Sequence, residues 1–137
     1  MNTNNSTDLW KLQLNAGHTC TQARQFLMAI SHYKNAIALA NTGLNSKHAD
    51  LTTVKALLTS HQHLAECFCQ AGALGLAEFE FGYVYRALKA CRERLGPGNP
   101  MTGSLLWGIT QAYHHLLTHQ QRYPHYVPQP IEADEQS

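Results

Sequence analysis

From Phe26 to Ala40 the apolar positions recur three and four residues apart, and they alternate large with small side chains: Phe26, Ala29, Ile30, Tyr33, Ala36, Ile37 and Ala40. That period predicts an amphipathic helix. Three alanines on its inward face mean that whatever packs there brings its backbone close, because a helix can nest against another only where side-chain bulk is missing. The chain must therefore supply further helices with complementary gaps.

Four more helical patterns are present, and no segment alternates with period two, so no strands are predicted. A first helix is expected from an Asp8 cap to about Gln22, with Trp10, Gln13, Ala16, Gly17 and Cys20 in one stripe. The second runs from about Arg24 to Asn41, ended by Gly43 in a left-handed position. Asp50 caps a third to about Ala71, with Leu57, Leu58, Leu64, Ala65 and Phe68 inward, and Gly72 breaks it. A fourth spans about Leu74 to Leu95, with Ala77, Phe81, Val84, Tyr85, Leu88 and Cys91 inward. The run GPGNP then stops the chain, Asn99 offering a cap and Pro100 a first-turn residue that needs no amide proton. The fifth helix is expected to reach about Arg122, with Leu106, Ile109, Thr110, Tyr113 and Leu117 inward. Residues 1–7 are read as a flexible polar lead, 8–123 as one helical domain, and 124–137 as a flexible, acidic, proline-broken tail.

Composition narrows the function. Charged residues make up 14% of the 137, against about 25% in an average chain, and the formal net charge is +1. Such a chain has no field for nucleic acid or an anionic membrane. No apolar run is long enough to span a bilayer and the first residues do not resemble a signal peptide, which points to a cytoplasmic protein. Cys20, Cys67, Cys69 and Cys91 all fall inside helical patterns and are read as free thiols.

The chain also repeats itself. Gly17 stands twelve residues before Ala29 and sixteen before Tyr33, and Ala65 stands at the same intervals before Ala77 and Phe81. The two copies are 48 residues apart, and a third, incomplete copy is aligned on Thr110, 45 residues after Ala65. This pattern resembles the tetratricopeptide repeat (TPR) family, in which a small residue on the first helix of a pair meets an alanine on the second and an aromatic four residues later fills the space toward the next pair. Departures are visible: Gln13 and His61 occupy the tryptophan position, Cys20 replaces an aromatic, and Ala65 and Thr110 replace glycine. The interval also exceeds the roughly 34 residues usual for the family. Longer helices resembling kinesin light chain type repeats account for it, and LGPGNPMTGSLLWGITQAY looks like the repeat junction of that subgroup. The resemblance covers residues 9–117. It implies an all-α, right-handed solenoid of antiparallel helical hairpins, with two full repeats and a capping helix. An ordinary five-helix bundle is the competing architecture.

In the TPR family the first helix of each pair lines a concave groove. Carried over, the groove positions are Lys11, Leu14, His18, Thr21 and Gln22, then Thr59, Gln62, Glu66, Cys69 and Gln70, then Ser104, Trp107, Gln111, His114 and His115. The resemblance implies a non-catalytic adaptor or scaffold that binds a protein or peptide there, without cofactor or metal. A carboxylate clamp for chaperone tails is not expected, since Leu14 and His18 stand where it would need other residues. An array of fewer than three repeats is marginal alone, which points to pairing with a second copy.

Two other readings stay open. His63 with Glu66, and His115 with His119, each share a helix face and would suit a helical metal protein or enzyme, although no H-E-x-x-H unit is present. A closed helical pocket would suit a regulator that binds a small ligand or signal peptide. Arg86, Lys89, Arg92 and Arg94 form a basic cluster near the end of the fourth helix, where positive charge complements the helix dipole.

Overall fold

The computed structural model describes residues 2–124, which form five helices: α1 (Asn2–Gln22), α2 (Phe26–Leu44), α3 (Leu51–Gln70), α4 (Leu74–Leu95) and α5 (Thr102–Arg122). Among the described residues there is no strand. The tail expectation lies, beyond Pro124, outside the described residues. Each helix packs on the next, and the short connections make neighbours antiparallel. In addition α3 touches both α1 and α5, whereas α1 and α5 do not meet and neither do α2 and α4.

Local chemistry sets most boundaries. Asp50 accepts from the Thr53 amide while the Thr53 hydroxyl accepts from the Asp50 amide, a reciprocal capping box that starts α3. Asn99 Oδ1 accepts from the Met101 amide at 2.8 Å in the turn before α5, but the helix begins at Thr102 with Met101 at its cap position, so Asn99 and Pro100 precede it instead of capping and opening it as expected.

Helix pairs α1–α2 and α3–α4 are joined by the same turn. Gln25 N–H donates to the Cys20 carbonyl and Arg24 N–H to that of Thr21; 48 residues on, Ala73 donates to Phe68 and Gly72 to Cys69. Both are Schellman closures with a left-handed residue at their centre, Gly72 at φ 82° and Arg24 at φ 60°. The residues that follow agree in conformation: Gln25 at φ −93°, ψ 72° and Ala73 at φ −95°, ψ 67°. Because Arg24 lies in this turn, α2 begins at Phe26 rather than at the expected Arg24.

The polar residues Gln13 and His61 also correspond. Gln13 Oε1 accepts from His32 Nδ1 at 2.8 Å and from Asn35 Nδ2 at 3.3 Å. Its counterpart His61 pairs through Nδ1 with the Glu80 carboxylate and lies tilted against the Tyr83 ring. Each of these residues is 48 positions from its equivalent. A polar tie between the two helices of a pair thus recurs at the same interval as the turn.

Three sequence expectations are corrected. Helix α1 begins at Asn2, so residues 2–7 are helical and the exposed Asp8 lies inside the helix rather than capping it; polar residues lengthen a nucleated helix at a cost of only about 0.7 kcal/mol each or less. Gly43 lies within α2, which ends at Leu44, and its role is proximity: a Cβ there would stand 2.7 Å from Thr53 Cγ2. In α5 the buried residues are Leu105, Gly108, Ala112 and His119, whereas Leu106, Thr110 and Tyr113 are exposed and Ile109 and Leu117 half-buried. The small residue that admits this helix is Gly108, not Thr110: a Cβ on Gly108 would lie 2.6 Å from Val54 Cγ1 and 3.2 Å from Leu88 Cδ1.

The core is divided along the helix order. Cys20, Ala29, Tyr33, Leu64 and Cys67 join α1 to α3. Ala65, Ala77 and Phe81 form the corresponding set between α3 and α4. A larger cluster, including Ala40, Val54, Leu57, Leu58, Leu88 and Leu105, ties the opposite ends of α2 to α5 together. Ala29, Ala65 and Ala77 are fully buried, and the Gly17 backbone lies against the Tyr33 ring.

Candidate functional site

Helices α3 and α5 run side by side in the same direction, and their C-terminal halves border an open cleft of about 450 Å3. Phe81 of α4 forms its floor. From α3 come Gln62, Glu66, Cys69 and Gln70; from α5 come His115, Thr118, His119 and Arg122, with Tyr123 closing the end. Glu66 accepts from Gln62 Nε2 at 3.4 Å, one turn earlier on the same face.

Five of the predicted groove positions, Gln62, Glu66, Cys69, Gln70 and His115, are therefore brought together. Lys11 lines a different depression of about 480 Å3, bordered by α1, the end of α2 and the start of α3, with Trp10, Lys55 and Thr59. There Trp10 Nε1 donates to Ser60 Oγ at 2.7 Å. Leu14 is half-buried against the core. His18 meets His63 edge-on, with ring centroids 6.3 Å apart. Trp107 is 38% exposed beneath the Lys55 ammonium, 5.5 Å from its ring centre. Gln22, Gln111 and His114 line neither cavity.

The carry-over missed Phe81, Thr118, His119, Arg122 and Tyr123 as cleft residues. Their signal was present: Thr118 and His119 stand three and four residues after His115, and Arg122 four and three after them, so one stripe of α5 faces the cleft.

The cleft combines opposite charges with neutral imidazoles. Burial pushes the pKa of His115 down, partly opposed by Glu66. Burial also lowers that of His119, against the pull of Glu78 and the Leu74 carbonyl. The Cys69 thiol is pushed up by burial and then by Glu66, while Arg122 acts the other way. Cys69 Sγ lies 3.7 Å from His119 Nδ1.

The two histidine faces considered for metal part company. His63 turns from the cleft to stack on Tyr33, centroids 5.9 Å apart, leaving Glu66 on the cleft side. His115 and His119 both line the cleft. Among the described residues no three or more His, Cys, Asp or Glu side chains are grouped as metal ligands would be. No helix among them is long and apolar enough to cross a membrane.

No curated protein and no solved structure matches the chain. One family model matches over residues 8–133, a span that includes nearly all of the five helices and the whole cleft, and the chain belongs to that family of proteins of unknown function, DUF2753.

Proposed function

We propose that this chain is a TPR-like interaction module, a short right-handed solenoid of two helical hairpins and a capping helix, which holds a polypeptide segment of a partner between α3 and α5. The observation that carries the reading is the recurrence, at 48 residues, of the interhelical turn, the polar tie and the small-to-aromatic contact. Repetition of a unit whose odd-numbered helices lie side by side produces one continuous concave face. On that face the cleft offers amides, a carboxylate and a guanidinium that suit hydrogen bonding to an extended peptide backbone. The protein acts in the cytoplasm, and it binds rather than catalyses.

The test is photo-crosslinking in cell extract with a reactive residue placed at Gln70 or Thr118, compared with one at Arg86 on α4. The proposal expects the same protein attached at both cleft positions and its loss in a Gln62→Ala/Gln70→Ala variant with unchanged helicity. Capture that is equal at Arg86, or undiminished in that variant, would reject the groove. Pairing with a second copy is favoured by one observation: Leu76, Phe79 and Tyr83 are 55%, 59% and 45% exposed along one side of α4. Sedimentation of Phe79→Ser tests it, since a dimer that persists unaltered would exclude this surface.

A further inference from the structure

His119 is only 4% exposed, and its Nε2 is buried with no partner at hydrogen-bonding geometry. The ring nevertheless lies against the first turn of α4, where the Leu74 carbonyl and the Glu78 carboxylate favour its protonated form. Glu78 Oε1 is itself buried without a partner. Both neighbours on the α4 side accept protons rather than supply them, so the tautomer that suits the site carries its proton on Nε2. Nδ1 is then the acceptor, and what it faces is the Cys69 thiol, 3.7 Å away at the wall of the cleft. A thiol and an imidazole that can accept its proton thus stand in contact, with the Glu78 carboxylate acting on the ring through its charge and not through a hydrogen bond.

We propose that Cys69 is a thiol–disulfide exchange site, with His119 as its base, for small disulfides that carry both carboxylate and ammonium groups. Arg122 and Glu66 on opposite walls of the cleft supply the complementary charges, and about 450 Å3 admits a ligand of small-peptide size. In the reaction the Cys69 S–H proton passes to His119 Nδ1 as Sγ attacks one sulfur of the ligand. A new S–S bond forms and the ligand's own S–S bond breaks. The leaving thiolate takes the proton back from His119, so the products are a mixed disulfide on Cys69 and one free thiol. The Cys69 sulfur is oxidised and the leaving sulfur reduced, with the disulfide as the only oxidant. Glu78 steadies the transient imidazolium. Glu66 opposes formation of the thiolate, and Arg122 favours it. Cys20, Cys67 and Cys91 are buried in the core and serve as internal controls. The chemistry is independent of any partner segment in the cleft, although an attached group would fill the same space.

The test is incubation of the full chain with glutathione disulfide, followed by mass spectrometry of the intact protein and its peptides. The expected result is one adduct, on Cys69, formed at a rate that rises with pH as His119 loses its proton below pH 6.5, before the ordinary thiol range near 9. His119→Gln should slow it at least about tenfold, a modest share of what a positioned base contributes, and Glu78→Gln should slow it. Modification of the other cysteines first, a rate that climbs only near pH 9, or unchanged rates in folded His119→Gln would overturn the proposal. Should His119→Gln fail to fold, the pH profile of the native chain and the slowing by Glu78→Gln decide it, and an unslowed Glu78→Gln with a rate that climbs only near pH 9 would overturn the proposal.

Discussion

Replacing Gly17 by alanine tests how closely the first two helices nest. An ideal Cβ at this position would stand 2.6, 2.7 and 2.9 Å from Cε1, Cδ1 and Cζ of Tyr33. Carbon atoms pack at about 3.5–4.0 Å, so the ring or the helix must retreat by about 1 Å. The ring is poorly placed to do so: Tyr33 is 1% exposed, its hydroxyl lies 3.3 Å from Thr21 Oγ1, and its outer face stacks on His63. Overpacking of this kind costs about 1–3 kcal/mol, and a weakened Tyr33–Thr21 bond adds about 0.5–1.5 kcal/mol. Alanine returns up to about 1 kcal/mol through its better helix propensity. The net expectation is a loss of about 0.5–4.5 kcal/mol, read from urea denaturation followed by far-ultraviolet circular dichroism. Gly75→Ala is the control, because nothing lies within 4 Å of a Cβ there, and it should leave stability equal or slightly raised. If Gly17→Ala were as stable as the native chain, the argument from missing bulk would fail.

The same logic at the other end predicts that Gly108→Ala loses about 1–3 kcal/mol, since its Cβ would enter the space of the fully buried Val54 and Leu88; a neutral result would refute the described register of α5. Arg24→Gly should gain up to about 1 kcal/mol by relieving a left-handed residue worth about 1–2 kcal/mol, less the contact of its guanidinium with the Phe26 ring at 5.1 Å. Arg24→Ala, which keeps the strain and loses the contact, should gain nothing; equal gains in both would contradict the turn geometry. Stability should also depend on pH in a defined sense. His63, His115 and His119 have lowered pKa values when folded, so the unfolded chain binds more protons as pH falls below 6.5, and their contribution is present above that value and lost below it. Cys67 and Cys69 have raised values, so stability should decline again as pH rises above 9.0. Urea midpoints from pH 5 to 10 should therefore show a plateau between these limits, and stability that increased on acidification from 7 to 5 would oppose the reading.

Elements bounded by their own local chemistry were legible in the sequence. Helix α3 is set by Asp50 and Gly72, and α4 by Gly72 and Gly96, and in each the glycine takes the left-handed conformation that only it adopts cheaply. Where a tertiary demand used the same residue type, the reading went astray. Gly43 reads as a helix terminus because its true reason, the approach of Thr53, comes from a residue ten positions away and on another helix. Arg24 gave no sign of its left-handed turn, since nothing in an arginine announces one. In α5 the choice of Thr110 over Gly108 turned the expected face, and a terminal helix covered on one side has too narrow a buried stripe to correct the error by itself. The site was half legible for a related reason. Gln62, Glu66, Gln70 and His115 followed from the repeat alignment, but His119 and Arg122 lie one and two turns beyond its last position. The Cys69–His119 contact joins residues 50 apart and depends on where α5 settles against α3.

The central claim is that the helices follow one another in an open order, with α3 between α1 and α5. It is tested most directly by electron paramagnetic resonance with spin labels on the exposed residues Asn15 of α1 and His114 of α5, in a Cys69→Ser background. Two successive helix packings of about 8–10 Å put those helix axes roughly 16–20 Å apart, so the account predicts a resolved dipolar distance in that range or longer. Strong line broadening from labels about 10 Å apart, the spacing of helices in direct contact, would mean that the first and last helices meet and would contradict it.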